Sequence, residues 1–285
     1  MSKHYIIADA CGMCGGVFAA LKILREMISR HKGKSVFVLH ELVHNNAVTG
    51  DFEKQGVHFV DSIQDIPPGA PVVIGAHGVA PDVENSIRNI AGEVADATCP
   101  LVKKLQQMVK NLNQHDQLIL FGKKDHAEVA AVLGNSAAGK NFIITSQPDI
   151  DALPELDSPF FISQTTVDFA QSCEIEKSLR QRFPALRCNP GVCDASRRRQ
   201  EAVIKLSSLC PVILVAGSAH SSNACRLREI AENLGAEALL IENAEEIPER
   251  ILQGTSRIGI TAGASTPEYI MEKIIAKLQQ AGFSS

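Results

Sequence analysis

Short β-branched runs alternate with amphipathic segments along the chain, and each run ends in a cluster of glycines and polar residues. A strand, a polar loop and a helix in repeated succession are typical of a parallel α/β sheet. In such sheets ligands bind beyond the carboxyl ends of the strands, which is where these polar clusters fall. The predicted strands cover 35–39, 72–74, 117–121, 160–163, 212–215 and 258–260.

A weak internal repeat divides the chain at three cysteines. Cys14, Cys99 and Cys193 each precede a segment whose apolar residues recur at helical spacing, although the third stripe is poorer than the others. A polar loop follows each cysteine after 26, 27 or 28 residues, and a second polar loop lies further along. The sequence therefore predicts three similar α/β units, each with one cysteine and two polar loops on one side. We place these units at 1–97, 98–191 and 192–285.

The polar loops are suited to an anionic ligand. Serine and asparagine side chains at predicted helix starts supply neutral donors, and backbone N–H groups with the helix dipole attract phosphate there. Histidines add donors that become charged beside an anion. Because serine and asparagine also simply cap helices, the prediction depends on six such loops in register and not on any one of them. The candidate residues are His40, His77, His126, Ser221, Ser222, Asn223 and Ser265.

Composition and charge narrow the class of protein. Hydrophobic residues make up 45% and charged residues 21% of the 285 residues, which is ordinary for a globular protein. The net charge of −4 gives no support to nucleic-acid binding, and no apolar run approaches the length of a membrane span. The first residues lack the order of a signal peptide, so we expect a cytoplasmic protein without a membrane or nucleic-acid partner.

The eight cysteines are too few for a secreted scaffold held by disulfides, and in the cytoplasm they should be reduced. Structural zinc usually takes four ligands, often in closely spaced pairs. Three widely separated cysteines fit better a [4Fe–4S] cluster held at three corners, with the fourth iron open as a Lewis acid. The alternative is three unrelated buried thiols, since free cysteine is among the most buried residue types.

A series of short motifs runs in order along nearly the whole chain. They are CGGV (14–17), HELVHN (40–45), AHGV (76–79), DATCPLV (96–102), HAEV (126–129), QTT (164–166), RQEAV (199–203), SSNxxRL (221–227) and TAGAST (261–266). Together they resemble the IspH/LytB family, the 4-hydroxy-3-methylbut-2-enyl diphosphate reductases. DATCPLV and the Ser-Ser-Asn loop together are highly specific for this family.

The resemblance implies a fold of three α/β domains with small parallel sheets, arranged as a trefoil around a central [4Fe–4S] cluster. It implies that Cys14, Cys99 and Cys193 ligate the cluster, and that the histidines, serines and asparagine named above bind a diphosphate. It further implies that Glu128 is the proton source, with Thr165 as a relay and His126 beside it. From the residues alone, Glu128 could equally be a solvated glutamate in the first turn of a helix.

The implied reaction is a two-electron, two-proton reductive removal of an allylic hydroxyl. Its products are isopentenyl and dimethylallyl diphosphate. Family resemblance also implies ferredoxin or flavodoxin as the electron donor and transient partner.

Cys11 is a departure from the family pattern. With Cys14 it forms a C-x-x-C pair, which is a metal-ligand spacing. Cys11 is a candidate fourth ligand of the cluster, and a permanent fourth ligand would close the open iron. The alternative is a spectator thiol in the loop. A paralogue acting on another substrate, a cluster-bearing sensor without turnover, and a zinc or thiol protein are the other interpretations.

A second departure follows the third cysteine, where Asp194 and the run Arg197–Arg199 stand. The arginines predict a solvated helix face, or alternatively a docking patch for an acidic electron donor. The remaining cysteines are predicted to be structural core residues, and they are Cys173, Cys188, Cys210 and Cys225.

Overall fold

Strands and helices alternate along almost the entire chain in the computed structural model, which describes residues 2–285. The strands are β1 (Lys3–Ile7), β2 (Val36–Leu39), β3 (Val57–Val60), β4 (Pro71–Ile74), β5 (Glu93–Asp96), β6 (Gln117–Phe121), β7 (Lys140–Ile144), β8 (Pro159–Ser163), β9 (Arg187–Asn189), β10 (Val212–Ala216), β11 (Glu237–Ile241), β12 (Arg257–Ala262) and β13 (Phe283–Ser284). The α-helices are α1 (Gly15–Arg30), α2 (Asn46–Glu53), α3 (Pro81–Ile90), α4 (Pro100–Lys110), α5 (Ala127–Gly134), α6 (Gln147–Asp151), α7 (Phe169–Arg182), α8 (Asp194–Leu209), α9 (Ser222–Asn233), α10 (Glu249–Gly254) and α11 (Glu268–Gln280). No helix in residues 2–285 combines the length and the apolarity that crossing a bilayer requires.

The strands form three parallel sheets, which confirms the predicted α/β class. Sheet 1 has the order β3-β2-β4-β5, sheet 2 the order β7-β6-β8-β9, and sheet 3 the order β11-β10-β12-β1-β13. In each sheet the chain moves from a central strand to one side and then returns to the other side. This places a topological switch point between β2 and β4, between β6 and β8, and between β10 and β12, where open α/β sheets bind ligands.

The six strands predicted from the sequence are the central pairs of the three sheets, with ends that agree to within two residues. Almost every residue of these strands is buried, because helices cover both faces of a parallel sheet. Continuous apolar runs result, and these are visible in the sequence. Edge strands such as β7 and β11 are more exposed along their length.

The helices predicted after the three cysteines are present. α1, α4 and α8 begin at the residue directly after Cys14, Cys99 and Cys193 respectively. Cys99 is the N-cap residue of α4, and Pro100 occupies the first turn, where its missing N–H is not needed. The apolar stripe of α8 is weaker than those of α1 and α4, as predicted, since Leu209 at the end of the helix is half exposed.

One compact unit contains sheet 3 and is built from the segment ending at Phe18, from Val43–Phe52 and from Asp194–Ser285. Alternate residues of its strands face two apolar cores. Ile258 and Ile260 of β12 lie in one core, while Ile213 and Val215 of β10 lie in the other. β1 pairs with β12 and β13, so the N-terminal strand joins the sheet formed by the last third of the chain.

The second compact unit comprises Ala19–Leu42 and Glu53–Cys193, and it contains sheets 1 and 2. Sheet 1 packs through residues such as Leu39 and Ile74 against Ile87 of α3. Sheet 2 has cores on both faces, with Ile119 in one and Leu120 in the other.

The predicted core position of Cys173 is wrong. Cys173 is exposed on α7, since the buried stripe of that helix runs through Ser172, Ile175 and Leu179 and leaves position 173 outside it. Cys210 is buried as predicted, and Cys188 and Cys225 are half-buried.

Candidate functional site

The predicted polar residues follow the carboxyl ends of the central strands in each sheet. Each loop is therefore placed at a switch point by the strand that precedes it. His40 follows β2 and His77 follows β4; His126 follows β6 and Thr165 follows β8; Ser221 follows β10 and Ser265 follows β12.

His40 occupies an unusual backbone conformation. Its φ of 59° is in the left-handed region, and it is the one non-glycine residue between 2 and 285 with a positive φ. Its N–H donates to the carbonyl of Val60 at 2.6 Å, while its exposed ring has Nδ1 3.9 Å from a carboxylate oxygen of Asp61. Such backbone strain persists where surrounding structure enforces it, often at ligand sites.

His77 and His126 contact each other edge to face, with ring centroids 5.3 Å apart and planes at 86°. His126 is buried and is the N-cap residue of α5. Its Nδ1 accepts the backbone N–H of Glu128 at 3.1 Å. Since that bond uses the lone pair of Nδ1, the ring proton resides on Nε2, which is a hydrogen-bond donor.

Glu128 is buried, with 2% of its surface exposed, so the alternative of a solvated first-turn glutamate is wrong. Its Oε1 accepts the backbone N–H of Thr165 at 2.7 Å, and its Oε2 accepts the Thr165 hydroxyl at 2.6 Å. A carboxyl and a hydroxyl are thus held within proton-transfer distance of each other.

Several hydrogen-bonding side chains lie at the start of α9. The Ser221 hydroxyl caps the helix by accepting the N–H of Ala224, and Ser222 begins the first turn. Asn223 is 3% exposed, and its Oδ1 accepts the N–H of Ala264 at 3.0 Å. Its Nδ2 is buried and has no hydrogen-bond partner among residues 2–285. A buried donor without an acceptor is costly, so this amide is suited to a ligand that brings an acceptor oxygen.

The loops beside α9 pack closely against its first turn. A Cβ on Gly217 would lie 2.6 Å from the Cβ of Ala224, and one on Gly263 would lie 3.0 Å from the same atom. The neighbouring Ser265 is buried, and its hydroxyl donates to the carbonyl of His44 at 3.0 Å. Glycine at these positions therefore allows the backbone to approach the helix start.

The three candidate cysteines share one backbone arrangement. The N–H of each donates to a carbonyl in the second polar loop of one sheet, which is sheet 3 for Cys14, sheet 1 for Cys99 and sheet 2 for Cys193. These bonds run from Cys14 to Ala264, from Cys99 to Ala76 and from Cys193 to Thr165, each at 3.0 Å. Each cysteine is therefore tied to the loop that carries Ser265, His77 or Thr165.

The chemistry of this donor set fits an iron–sulfur group. Cys14, Cys99 and Cys193 are half-buried thiols, and no cysteine in residues 2–285 forms a disulfide. Each stands directly before the first residue of a helix. The N–H of Val17 donates to the Sγ of Cys14 at 3.4 Å. Soft thiolates in equivalent positions are the ligands that [4Fe–4S] clusters use.

Cys11 is half-buried in the loop before α1. Burial raises the pKa of its thiol, and the positive charge of Arg199 acts in the opposite direction. Gly12 follows with a φ of 72°, a conformation that glycine adopts without strain.

The prediction of a solvated arginine face is correct for two of the three arginines. Arg197 forms ion pairs with Asp194 and Glu201, and Arg198 pairs with Asp194, all on the exposed side of α8. For Arg199 the prediction is wrong, because this residue is 6% exposed.

Arg199 is a residue whose role sequence reasoning missed. Its Nε donates to the carbonyl of Gly12 at 3.2 Å, its Nη2 donates to the same oxygen, and its Nη1 donates to the carbonyl of Ala195 at 2.6 Å. The signal was present in the spacing, since Arg199 falls on the same helical stripe as Ala202 and Leu206.

Asp96 also organises a cysteine loop, although the sequence pattern predicts no role for it. Its Oδ1 accepts the N–H of Thr98 at 2.9 Å, and its Oδ2 lies 2.6 Å from the ammonium of Lys103. Burial raises the pKa of Asp96, but the bonds from Lys103 and Thr98 outweigh burial and leave the pKa below its ordinary value. The carboxylate thus fixes the turn that leads into Cys99.

Comparison with known proteins gives a consistent match over the chain. A family model described as LytB protein matches residues 5–279. The 4-hydroxy-3-methylbut-2-enyl diphosphate reductase of Neisseria meningitidis serogroup C is 35% identical, over 98% of this chain and 88% of that protein. The enzyme of the same name from Methylococcus capsulatus is 35% identical over 97% of this chain and 90% of its own length.

A solved structure gives the same match in three dimensions. The E-1-hydroxy-2-methyl-but-2-enyl-4-diphosphate reductase from Plasmodium falciparum superposes with a TM-score of 0.89 at 29% identity. The match covers 97% of this chain and 88% of that one. An α/β fold with small parallel sheets is therefore shared with a reductase of known structure.

Proposed function

The chain belongs to the LytB family, and from this we propose that it is a 4-hydroxy-3-methylbut-2-enyl diphosphate reductase. The observation that carries the proposal is the common tether of three cysteines, each bonded to the carbonyl of a polar loop at 3.0 Å. Because the three thiols occupy equivalent positions beside polar loops, they favour a single redox group bound next to a single polar ligand. Membership of the LytB family supports a [4Fe–4S] cluster as the redox group and an allylic diphosphate as the polar ligand.

Cys14, Cys99 and Cys193 are the proposed ligands of a [4Fe–4S] cluster. When bound, the cluster supplies electrons one at a time and an open iron that polarises a hydroxyl. The chain contributes three thiolates at helix starts, where the helix dipole favours the negative charge.

The diphosphate of the substrate is the proposed ligand of the polar loops. The buried amide of Asn223 gains an acceptor when a phosphate oxygen binds, and the N–H groups at the start of α9 favour the negative charge. The Nε2–H of His126 is a further donor. The full proposed set is His40, His77, His126, Ser221, Ser222, Asn223 and Ser265.

Proton delivery is assigned to Glu128 and Thr165. The Thr165 hydroxyl, bonded to Oε2 of Glu128 at 2.6 Å, passes a proton to the substrate side and regains one from the carboxyl. Over the whole reaction two electrons and two protons enter, the allylic C–O bond breaks and water leaves. Isopentenyl and dimethylallyl diphosphate are the proposed products.

The two electrons require a donor, and a ferredoxin or flavodoxin of the cytoplasm is the proposed partner. The division of the chain into units at 1–97, 98–191 and 192–285 is likewise a proposal, and it assigns one ligand cysteine to each unit.

A second candidate function rests on Cys11. Its half-buried thiol shares a C-x-x-C loop with Cys14. If Cys11 were a fourth ligand, no iron would be open to a hydroxyl, and the protein would be a cluster-bearing sensor. A paralogue that acts on another unsaturated substrate would keep the open iron.

Anaerobic purification tests the cluster, which requires brown protein with about four irons and four sulfides per chain. Turnover of 4-hydroxy-3-methylbut-2-enyl diphosphate by reduced viologen then tests the reaction. Colourless protein loaded with zinc contradicts the proposal at the first step. Fully loaded protein that forms no isopentenyl product contradicts it at the second step and favours the paralogue or the sensor.

Substitution Cys11→Ser separates the sensor from the reductase. We expect unchanged cluster spectra and an unchanged rate. A change in the spectrum together with a gain in turnover would assign Cys11 as the fourth ligand.

A further inference from the structure

The guanidinium of Arg199 is a buried positive charge that contacts the Cys11–Cys14 loop. The residue is 6% exposed, and its hydrogen bonds go to the carbonyls of Gly12 and Ala195. It forms no ion pair with any carboxylate in residues 2–285. Arginine stays protonated in proteins, so this charge is permanent.

An unpaired buried charge is unusual, because burial removes the water that stabilises it. Carbonyl oxygens accept hydrogen bonds from Nε, Nη1 and Nη2 of Arg199, but these oxygens carry only partial charge. The two carboxylates nearest along the helix, those of Glu201 and Asp194, are paired with Arg197 and Arg198 on the exposed face. Within the described part of the chain the charge of Arg199 therefore has no anionic partner, and the loop that Arg199 holds is the one that carries Cys14.

We propose that Arg199 is a positioning residue that raises the reduction potential of the iron–sulfur group by holding a buried positive charge at the Cys11–Cys14 loop. The proposal rests on the function proposed above. A cluster with thiolate ligands is anionic and becomes more so when an electron is added. A fixed positive charge nearby therefore favours the reduced state, and low local polarity strengthens the effect.

Arg199 acts on the loop in two ways that can be separated. Two of its N–H groups converge on the carbonyl of Gly12, which fixes the turn two residues before Cys14. Its charge acts through space. Arg199→Gln keeps hydrogen-bond donors but removes the charge, whereas Arg199→Lys keeps the charge with fewer donors.

The experiment is a redox titration of anaerobically purified protein, followed by electron paramagnetic resonance of the reduced cluster. The variants are Arg199→Gln and Arg199→Lys, with Arg198→Gln as the matched control. Arg198→Gln removes the same charge from the same helix, but from a side chain that is 67% exposed. We expect a midpoint potential shifted to more negative values in Arg199→Gln and close to that of the wild type in the other two variants.

An unchanged potential in fully loaded Arg199→Gln would overturn the proposal, as would an equal shift in Arg198→Gln, which would reflect net charge alone. If Arg199→Gln does not retain its iron, the Arg199→Lys variant provides the test. A native midpoint potential at full iron content in that variant supports the role of the positive charge. Loss of iron in Arg199→Lys as well would show that only the hydrogen bonds to Gly12 matter, and would overturn the proposal. Wild-type protein without a cluster would contradict the proposed function itself, which is a separate outcome.

Discussion

Asn223 and Glu128 are the buried polar side chains on which the proposed chemistry depends most directly, and they are in opposite states. The amide of Asn223 has a donor without an acceptor, while the carboxylate of Glu128 already accepts two hydrogen bonds from Thr165. The first state favours recognition of an incoming oxygen, since binding satisfies a group that folding left unpaired. The second favours proton exchange, since the partner hydroxyl is held in place.

Asn223→Asp tests the recognition role without changing the size of the side chain. Aspartate still accepts the N–H of Ala264 but replaces the donor by an oxygen, so it repels a phosphate. We expect the KM for the diphosphate substrate to rise about 10- to 100-fold with the fold retained. Asn233→Asp, an exposed change at the other end of α9, is the control and should leave KM unchanged. Equal KM values in the two variants would contradict the role of Asn223.

Glu128→Gln tests the proton role. Glutamine accepts the backbone N–H of Thr165 but has no acidic proton, so we expect kcat to fall about 100-fold or more while iron content and KM stay near native values. Steady-state rates under anaerobic conditions measure this change. Glu174→Gln on the exposed face of α7 is the control. A kcat within a few fold of the wild type would show that another group supplies the proton.

Residue types in the polar loops were predictable, but their burial was not. His126, Asn223 and Ser265 were identified because they follow strand ends in a repeated order. Arg199 is buried and Cys173 is exposed because of the side of the helix on which each residue lies. A shift of one position along the helix moves a side chain between the side that faces the sheet and the side that faces solvent. Arginine on an apolar stripe signals such burial, and a cysteine just outside the stripe signals exposure.

At the scale of elements, the loops depend on tight backbone turns. Gly78 follows His77 with a φ of 69°, and a Cβ there would lie 2.6 Å from Gln106 Nε2 and 2.9 Å from Thr98 Cγ2. The loop of His77 therefore packs against the turn that leads into Cys99. The sequence marks this position only by a glycine, and the contact across two loops becomes visible in the fold.

Gly78→Ala should destabilise the protein through both strain and crowding. We expect a loss of about 2–3 kcal/mol in the free energy of unfolding, from the left-handed backbone and the contacts with Thr98 and Gln106. Gly33→Ala is the matched control, since Gly33 has a φ of 80° with open space around its Cβ position, and it should cost about 1 kcal/mol. Urea denaturation measures both values, and equal losses would show that crowding contributes nothing.

The carboxylate of Asp96 makes the turn before Cys99 sensitive to pH. Its pKa is lower in the folded protein than in the unfolded chain, so the ionised form stabilises the fold above the unfolded value near 3.9. That contribution is lost as pH falls through the folded value. Asp96→Asn should lower the free energy of unfolding by about 1 kcal/mol at pH 7, a modest figure because Lys103 is half exposed.

Denaturation of iron-free, reduced protein at pH 7 and pH 3 measures this effect. The difference between wild type and Asp96→Asn should shrink at pH 3, where the wild-type carboxylate begins to protonate. Asp157→Asn in an exposed loop is the control and should show no difference at either pH. A difference that stays constant between the two pH values would contradict the assignment to ionised Asp96.

At the scale of the molecule, one strand order is used three times. Each sheet has a central pair flanking a switch point, and the sequence period at Cys14, Cys99 and Cys193 predicts this repetition. The pairing of β1 with β12 and β13 could not be predicted, because parallel pairing joins residues more than 200 positions apart and leaves no local pattern. Local periodicity therefore gave the number of sheets but not the membership of the N-terminal strand.

The threefold repetition predicts that the three proposed ligand cysteines are equivalent in their effect on iron content. Cys14→Ser, Cys99→Ser and Cys193→Ser should each abolish the four-iron cluster, whereas Cys173→Ser on the exposed face of α7 should retain it. A ligand that binds only the folded state stabilises it, so the loaded wild type should melt roughly 5 °C or more above each of the three variants. Iron analysis and calorimetry under anaerobic conditions measure both effects. Loss of iron in Cys173→Ser, or full iron content in any one of the three ligand variants, would contradict the assignment of these cysteines as ligands. The backbone hydrogen bond that the three cysteines share would then have no explanation in cluster binding.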